Sequence, residues 1–110
     1  MTHIISTLEE FQTTVLSDTA WVVLADFFAE WCGPCKALIP VMDQLATDYA
    51  GRATIVKIDV DELTELAGQY DVMSIPTVII FKHGIMVGEA SVGAFPPAHY
   101  QSLIDAALAS

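Results

Sequence analysis

The chain reads as an α/β domain in which a mixed sheet carries helices on both faces, and three observations lead there. Strand-like runs rich in β-branched and aromatic residues alternate with segments whose apolar residues recur every three or four positions. The run from Val22 to Ala29 is almost wholly apolar, as a strand covered on both faces must be. Towards the C-terminus, His83-Gly84 separates two strand-like runs as a two-residue hairpin turn would, so part of the sheet is antiparallel. The predicted order is strand, helix, strand, helix, strand, helix, strand, strand, helix.

Each element has its own local signal. A short strand near His3–Ser6 leads into a helix over 8–18, with Ser6 and Glu9 spaced as a capping box. The central strand 22–29 follows, then a long helix from about Gly33 to Tyr49, where Leu38, Val41, Met42, Leu45, Ala46 and Tyr49 fall at helical spacing. Pro40 lies inside that pattern and is expected to kink the helix while the apolar stripe continues past it. Thr54–Asp59 is the next strand, and Leu63, Leu66, Ala67 and Tyr70 mark a helix. Thr77–Phe81 and Ile85–Val87 form the hairpin arms. Pro96-Pro97 opens the last helix, whose buried side carries Tyr100, Leu103, Ile104, Ala107 and Leu108.

Composition bounds what such a domain can do. The 110 residues, 54% apolar and 16% charged, are expected to form one domain over 1–110, with no repeat, linker or low-complexity stretch. A net charge of −10, from four basic and fourteen acidic residues, argues against nucleic acid and anionic membrane surfaces as partners. It favours solubility, and it fits partners with a basic face. The N-terminal residues lack a basic segment followed by an apolar stretch, and no apolar run approaches the roughly 18 residues that span a bilayer. A soluble, cytoplasmic protein is the expectation, with a monomer as the simplest state.

The only two cysteines, Cys32 and Cys35, stand three positions apart between the central strand and the long helix. With Cys32 as helix N-cap, Gly33 and Pro34 occupy the first helical positions and the Cys35 N–H can donate to the Cys32 sulfur. Side chains at i and i+3 share a face, so the sulfurs can bond reversibly. Cys32, nearer the exposed tip, is expected to have a lowered pKa and act as nucleophile, with Cys35 one turn deeper as the resolving thiol. Asp26 in the apolar strand is either a solvated strand end or a buried base that helps Cys35 lose its proton. Lys57 either tunes that carboxylate or is an ordinary strand lysine reaching water. Pro76, at a strand entrance, is by pattern alone a boundary residue.

Ala25-Asp26-Phe27-Phe28-Ala29-Glu30-Trp31-Cys32-Gly33-Pro34-Cys35-Lys36 closely resembles the active-site segment of thioredoxins. The likeness continues through Val56–Asp61, Ile75-Pro76-Thr77, Phe81–Gly84 and Val92-Gly93-Ala94, in order across essentially the whole chain. It implies a thioredoxin fold, a central sheet flanked by four helices, and a protein-disulfide reductase. It further implies that Asp26 is the buried acid/base with Lys57 as its neighbour. Pro76 becomes a cis proline facing the cysteines, and Ile75 offers backbone hydrogen bonds to an extended target segment. Trp31, Gly33, Pro34, Ile75, Val92, Gly93 and Ala94 become the apolar platform for target proteins. The family also implies recharging by a thioredoxin reductase that draws on NADPH, with no cofactor bound to this chain. Three departures stand out. Phe28 replaces a frequent second tryptophan, and Met73 replaces a frequent basic residue. The stretch 85–91 is one residue longer than usual, with a bulge expected near Gly88.

Competing readings follow from the same residues. A zinc site lacks ligands, because His3, His83 and His99 are scattered singly. Haem attachment fails because Lys36, not His, follows Cys35. A structural disulfide over so short a loop gains little from closure. A disulfide oxidase or isomerase, and a binding subunit indifferent to sulfur state, remain the alternatives; the Gly33-Pro34 dipeptide resembles that of the reducing relatives.

Overall fold

The computed structural model describes residues 2–17 and 21–110. The elements are β1 (His3–Ile5), α1 (Leu8–Thr14), β2 (Val22–Phe28), α2 (Gly33–Asp48), β3 (Ala53–Asp59), α3 (Thr64–Gln69), β4 (Thr77–Lys82), β5 (Ile85–Val92) and α4 (Pro97–Ala109). The five strands form one mixed sheet in the order β1-β3-β2-β4-β5. β3 runs parallel to both β1 and β2, whereas β4 is antiparallel to β2 and to β5.

Alternation along the strands builds two cores. Val22 and Leu24 of β2 point with Ile55 and Ile80 against Leu38, Met42 and Leu45 of α2 and Tyr100 and Ile104 of α4. Val23, Ala25 and Phe27 point the other way, with Val56 and Ile79, against Phe11 and Leu66. All seven residues of β2 are buried, which is why its sequence shows no polar face. Parity then places Asp26 and Phe28 on the α2–α4 side, and Lys57 joins them as the register partner of Asp26.

Four boundaries depart from the sequence expectation. The predicted helix over 8–18 stops at Thr14, and its expected end at Asp18 lies outside the described residues. Its cap is Thr7 rather than Ser6: the Thr7 hydroxyl accepts from the Glu10 N–H at 3.0 Å, and the Glu10 carboxylate accepts from the Ser6 N–H at 2.8 Å. α3 is shorter than its apolar stripe, since Leu63 and Tyr70 act as its caps. β5 continues to Val92, well beyond Val87. Its pairing slips between Val78↔Ser91 and Ile80↔Val87, so Ile79 alone stands opposite residues 88–90, with Gly88 at φ 72°. The bulge expected near Gly88 is there, and it carries the strand past the residue that broke its sequence pattern.

The β4–β5 turn is as tight as its sequence suggests. His83 and Gly84 both have positive φ, 52° and 78°, the signature of a type I′ hairpin. Gly84 also packs on the backbone carbonyl of Leu16, where an added Cβ would collide. α2 runs through Pro40 as a single element because its interior face, held by Leu38, Met42 and Leu45, spans the missing hydrogen bond.

Candidate active site

The end of β2 delivers the chain directly into the first turn of α2. Cys32 is the N-cap in extended conformation (φ −84°, ψ 115°), followed by Gly33 and Pro34 at the first two helical positions. The Cys35 N–H donates to the Cys32 sulfur at 3.2 Å. The two cysteines form a disulfide, with Cα atoms 5.2 Å apart. That geometry places the sulfur of Cys32 at the positive end of the helix, where negative charge is favoured.

Burial does not separate the two cysteines as a tip and a deeper position would. Cys32 is 4% exposed and Cys35 2%; the exposed residues of the turn are Trp31, Gly33 and Pro34. What differs is what each sulfur meets. Cys32 faces the loop before β4, where the Ile75 carbonyl oxygen lies 3.9 Å from its sulfur. Cys35 lines a cavity of about 250 Å³ together with Phe28, Glu30, Lys36, Ile39 and Lys57.

The Ile75–Pro76 peptide bond is cis. Pro76 is buried and Ile75 half-buried, and the Pro76 carbonyl accepts from the Gly93 N–H at 2.8 Å. That bond brings the Val92–Ala94 segment beside the cysteines. Val92 and Ala94 remain exposed there, alongside Trp31 and the almost fully exposed Met73. Two contributors escaped the sequence reading. The Trp31 indole N–H donates to Asp61 at 2.8 Å, which orients an otherwise exposed ring. The Tyr100 hydroxyl accepts from the Phe95 N–H at 3.1 Å and donates to the Gly93 carbonyl at 3.3 Å, bracing the same segment from α4. The Trp31 pairing joins residues 30 positions apart and has no local signal, whereas Tyr100 reaches back only five and seven residues, to a turn whose path its apolar helical spacing does not reveal.

Asp26 has no exposed surface, and among the described residues neither carboxyl oxygen has a hydrogen-bond partner. Burial raises its pKa to about 7, against the opposing pull of the Lys57 charge. Lys57 is itself buried, and its ammonium sits over the Phe28 ring, 4.2 Å from the centroid. The solvated strand end is therefore excluded for Asp26, and Lys57 does not reach out to water. Among the described residues no group of His, Cys, Asp or Glu could hold a metal ion.

The thioredoxin family model matches residues 2–106. The chain belongs to the thioredoxin family. A thioredoxin from Chlorobaculum thiosulfatiphilum is 49% identical over 100 residues, covering 91% of each chain. One from Staphylococcus aureus is 50% identical over 84 residues, 76% of this chain and 80% of its own. Among solved structures, a point-mutant thioredoxin from Halobacterium salinarum NRC-1 superposes with a TM-score of 0.86 at 40% identity, covering 96% of this chain and 89% of that one. Plasmodium falciparum thioredoxin gives 0.84 at 32% identity, with 94% and 97% covered. The expected thioredoxin fold is the one observed, and with its cysteine disulfide the chain is a thiol-disulfide oxidoreductase of the protein-disulfide reductase type. Among the described residues no helix is long and apolar enough to cross a membrane.

Proposed function

We propose that this thioredoxin reduces disulfides in target proteins with Cys32 as nucleophile and Cys35 as resolving thiol. The observation that carries this reading is the hydrogen bond from the Cys35 N–H to the Cys32 sulfur at the N-terminus of α2. The same donor and helix end that hold the disulfide stabilise a Cys32 thiolate once the pair is reduced.

The thiolate of Cys32 attacks one sulfur of a target disulfide, and the other target sulfur leaves as a thiolate. Cys35 then gives its proton to the Asp26 carboxylate and attacks the Cys32 sulfur. The Cys32–Cys35 bond closes, the second target sulfur leaves, and two electrons have passed from the cysteine pair to the target. Lys57 favours the ionised form of Asp26, which is the form that accepts the proton. Trp31, Gly33, Pro34, Ile75, Pro76, Val92, Gly93 and Ala94 receive the target, with the Ile75 backbone pairing to an extended segment. The oxidised protein is recharged by a thioredoxin reductase drawing on NADPH, and it acts as a cytoplasmic monomer over one domain.

Trapping tests the order of events. Cys35→Ser should accumulate mixed disulfides with targets on non-reducing gels, and Cys32→Ser should abolish turnover without forming them. Adducts formed by Cys32→Ser and not by Cys35→Ser would reverse the assignment.

A further inference from the structure

We propose that Phe28 is a positioning residue of the exchange site: its ring seats the Lys57 ammonium beside Asp26 and so sets the pH range in which Cys35 can be deprotonated. The inference rests on the acid/base reading of Asp26 given above.

Asp26 and Phe28 lie on one face of β2, and Lys57 is the register partner of Asp26 on β3. The lysine is 7% exposed, its ammonium 4.2 Å from the Phe28 ring centroid, and it makes no hydrogen bond to either oxygen of Asp26. A strongly hydrated ammonium held in the interior needs something in place of water, and the negative face of an aromatic ring supplies it. Phe28 and Lys57 both line the cavity beside Cys35. Without the ring, the flexible four-carbon stem can carry the charge into that cavity and away from the carboxylate.

Other titratable groups face the same place from each element packed against it. The Tyr100 phenol, which approaches from α4, is kept neutral by a pKa that burial raises. Asp43 on α2 feels the Lys57 charge but is held by its hydrogen bonds to Thr2, and Glu30 and Lys36 both line the cavity. Asp59, two residues beyond Lys57 on β3, is buried as the register partner of Phe28 and accepts a hydrogen bond from the Asp61 N–H, and Cys35 is the proton donor of the step. Asp26 takes the proton from the Cys35 thiol, and the electron pair left on sulfur forms the bond to Cys32 as the bond to the target breaks.

The full-length protein offers two readouts: the Asp26 carboxyl carbon resonance against pH in the reduced form, and the pH profile of mixed-disulfide resolution with a disulfide-bonded peptide. Phe28→Leu removes the ring and keeps the apolar contact. It should move both profiles upward by about half a pH unit or more. Phe28→Trp, which restores a ring, should return both towards the parent. In a Lys57→Met background, Phe28→Leu should move neither. If circular dichroism shows Phe28→Leu unfolded, Phe28→Met takes its place. An Asp26 titration unmoved by loss of the ring, or moved equally without Lys57, overturns the seating of the ammonium. A titration that moves while resolution does not would instead overturn Asp26 as the base for Cys35.

Discussion

Asp26 and its surroundings make a distinct claim about stability. Its carboxyl titrates near 7 in the folded chain and near its ordinary 3.8 when unfolded. Between those values the folded chain holds a proton that the unfolded chain has released, so stability falls as pH rises through this window and stays reduced above it. The difference amounts to on the order of 4 kcal/mol. Relative to the parent, Asp26→Asn should therefore gain that much stability between about pH 4 and pH 8, measured by urea unfolding of the oxidised protein at both values. An advantage that does not change with pH would mean Asp26 is not neutral when buried. The residue scale is also where sequence was most and least informative. Cys32 as cap and Cys35 as its donor were legible because helix-end chemistry is local. The burial of Asp26 stayed open because apolar neighbours fit both a strand's interior and its end. The indole bond of Trp31 to Asp61 needs residues 30 positions apart and carried no signal at all. Being exposed, that bond should matter little to stability: Asp61→Asn should cost less than about 1 kcal/mol, while weakening target binding as read by KM.

Elements were legible wherever an apolar period ran without interruption, as in α2, β2 and α4. They were misjudged where it broke: α1 ends early at Thr14, and β5 resumes after Gly88. The strand order could not be read from the sequence pattern, because the alternation of each strand is the same whichever neighbour it takes. Two substitutions test how the elements are held. Leu45→Ala empties a site between α2 and the sheet and should cost about 2–5 kcal/mol in unfolding free energy. Gly84→Ala asks a side chain to take φ 78° while colliding with the Leu16 carbonyl. It should cost at least about 2 kcal/mol; a smaller loss would mean the approach of the β4–β5 turn to Leu16 relaxes freely.

Across the whole molecule, charge is the property that no single residue owns. Fourteen acidic groups against four basic ones leave a negative surface around an apolar contact zone. Stopped-flow reduction of two disulfide peptides, one lysine-rich and one glutamate-rich, should show opposite salt effects. Added salt slows the basic peptide and speeds the acidic one, because it screens attraction in one case and repulsion in the other. Identical salt responses would mean that the overall charge does not steer encounter.

The slip in β5 has a consequence for self-association. β5 closes one side of the sheet, and its start exposes Ile85 (68%) and Met86 (40%). An unbroken apolar strand in that position would template a sixth strand from another copy, the route to edge-to-edge aggregation. Three residues crowded opposite Ile79, with Glu89 among them, interrupt the regular spacing of free N–H and C=O groups that such templating needs. The irregularity that lets the strand continue to Val92 thus also protects the protein from polymerising along its own edge.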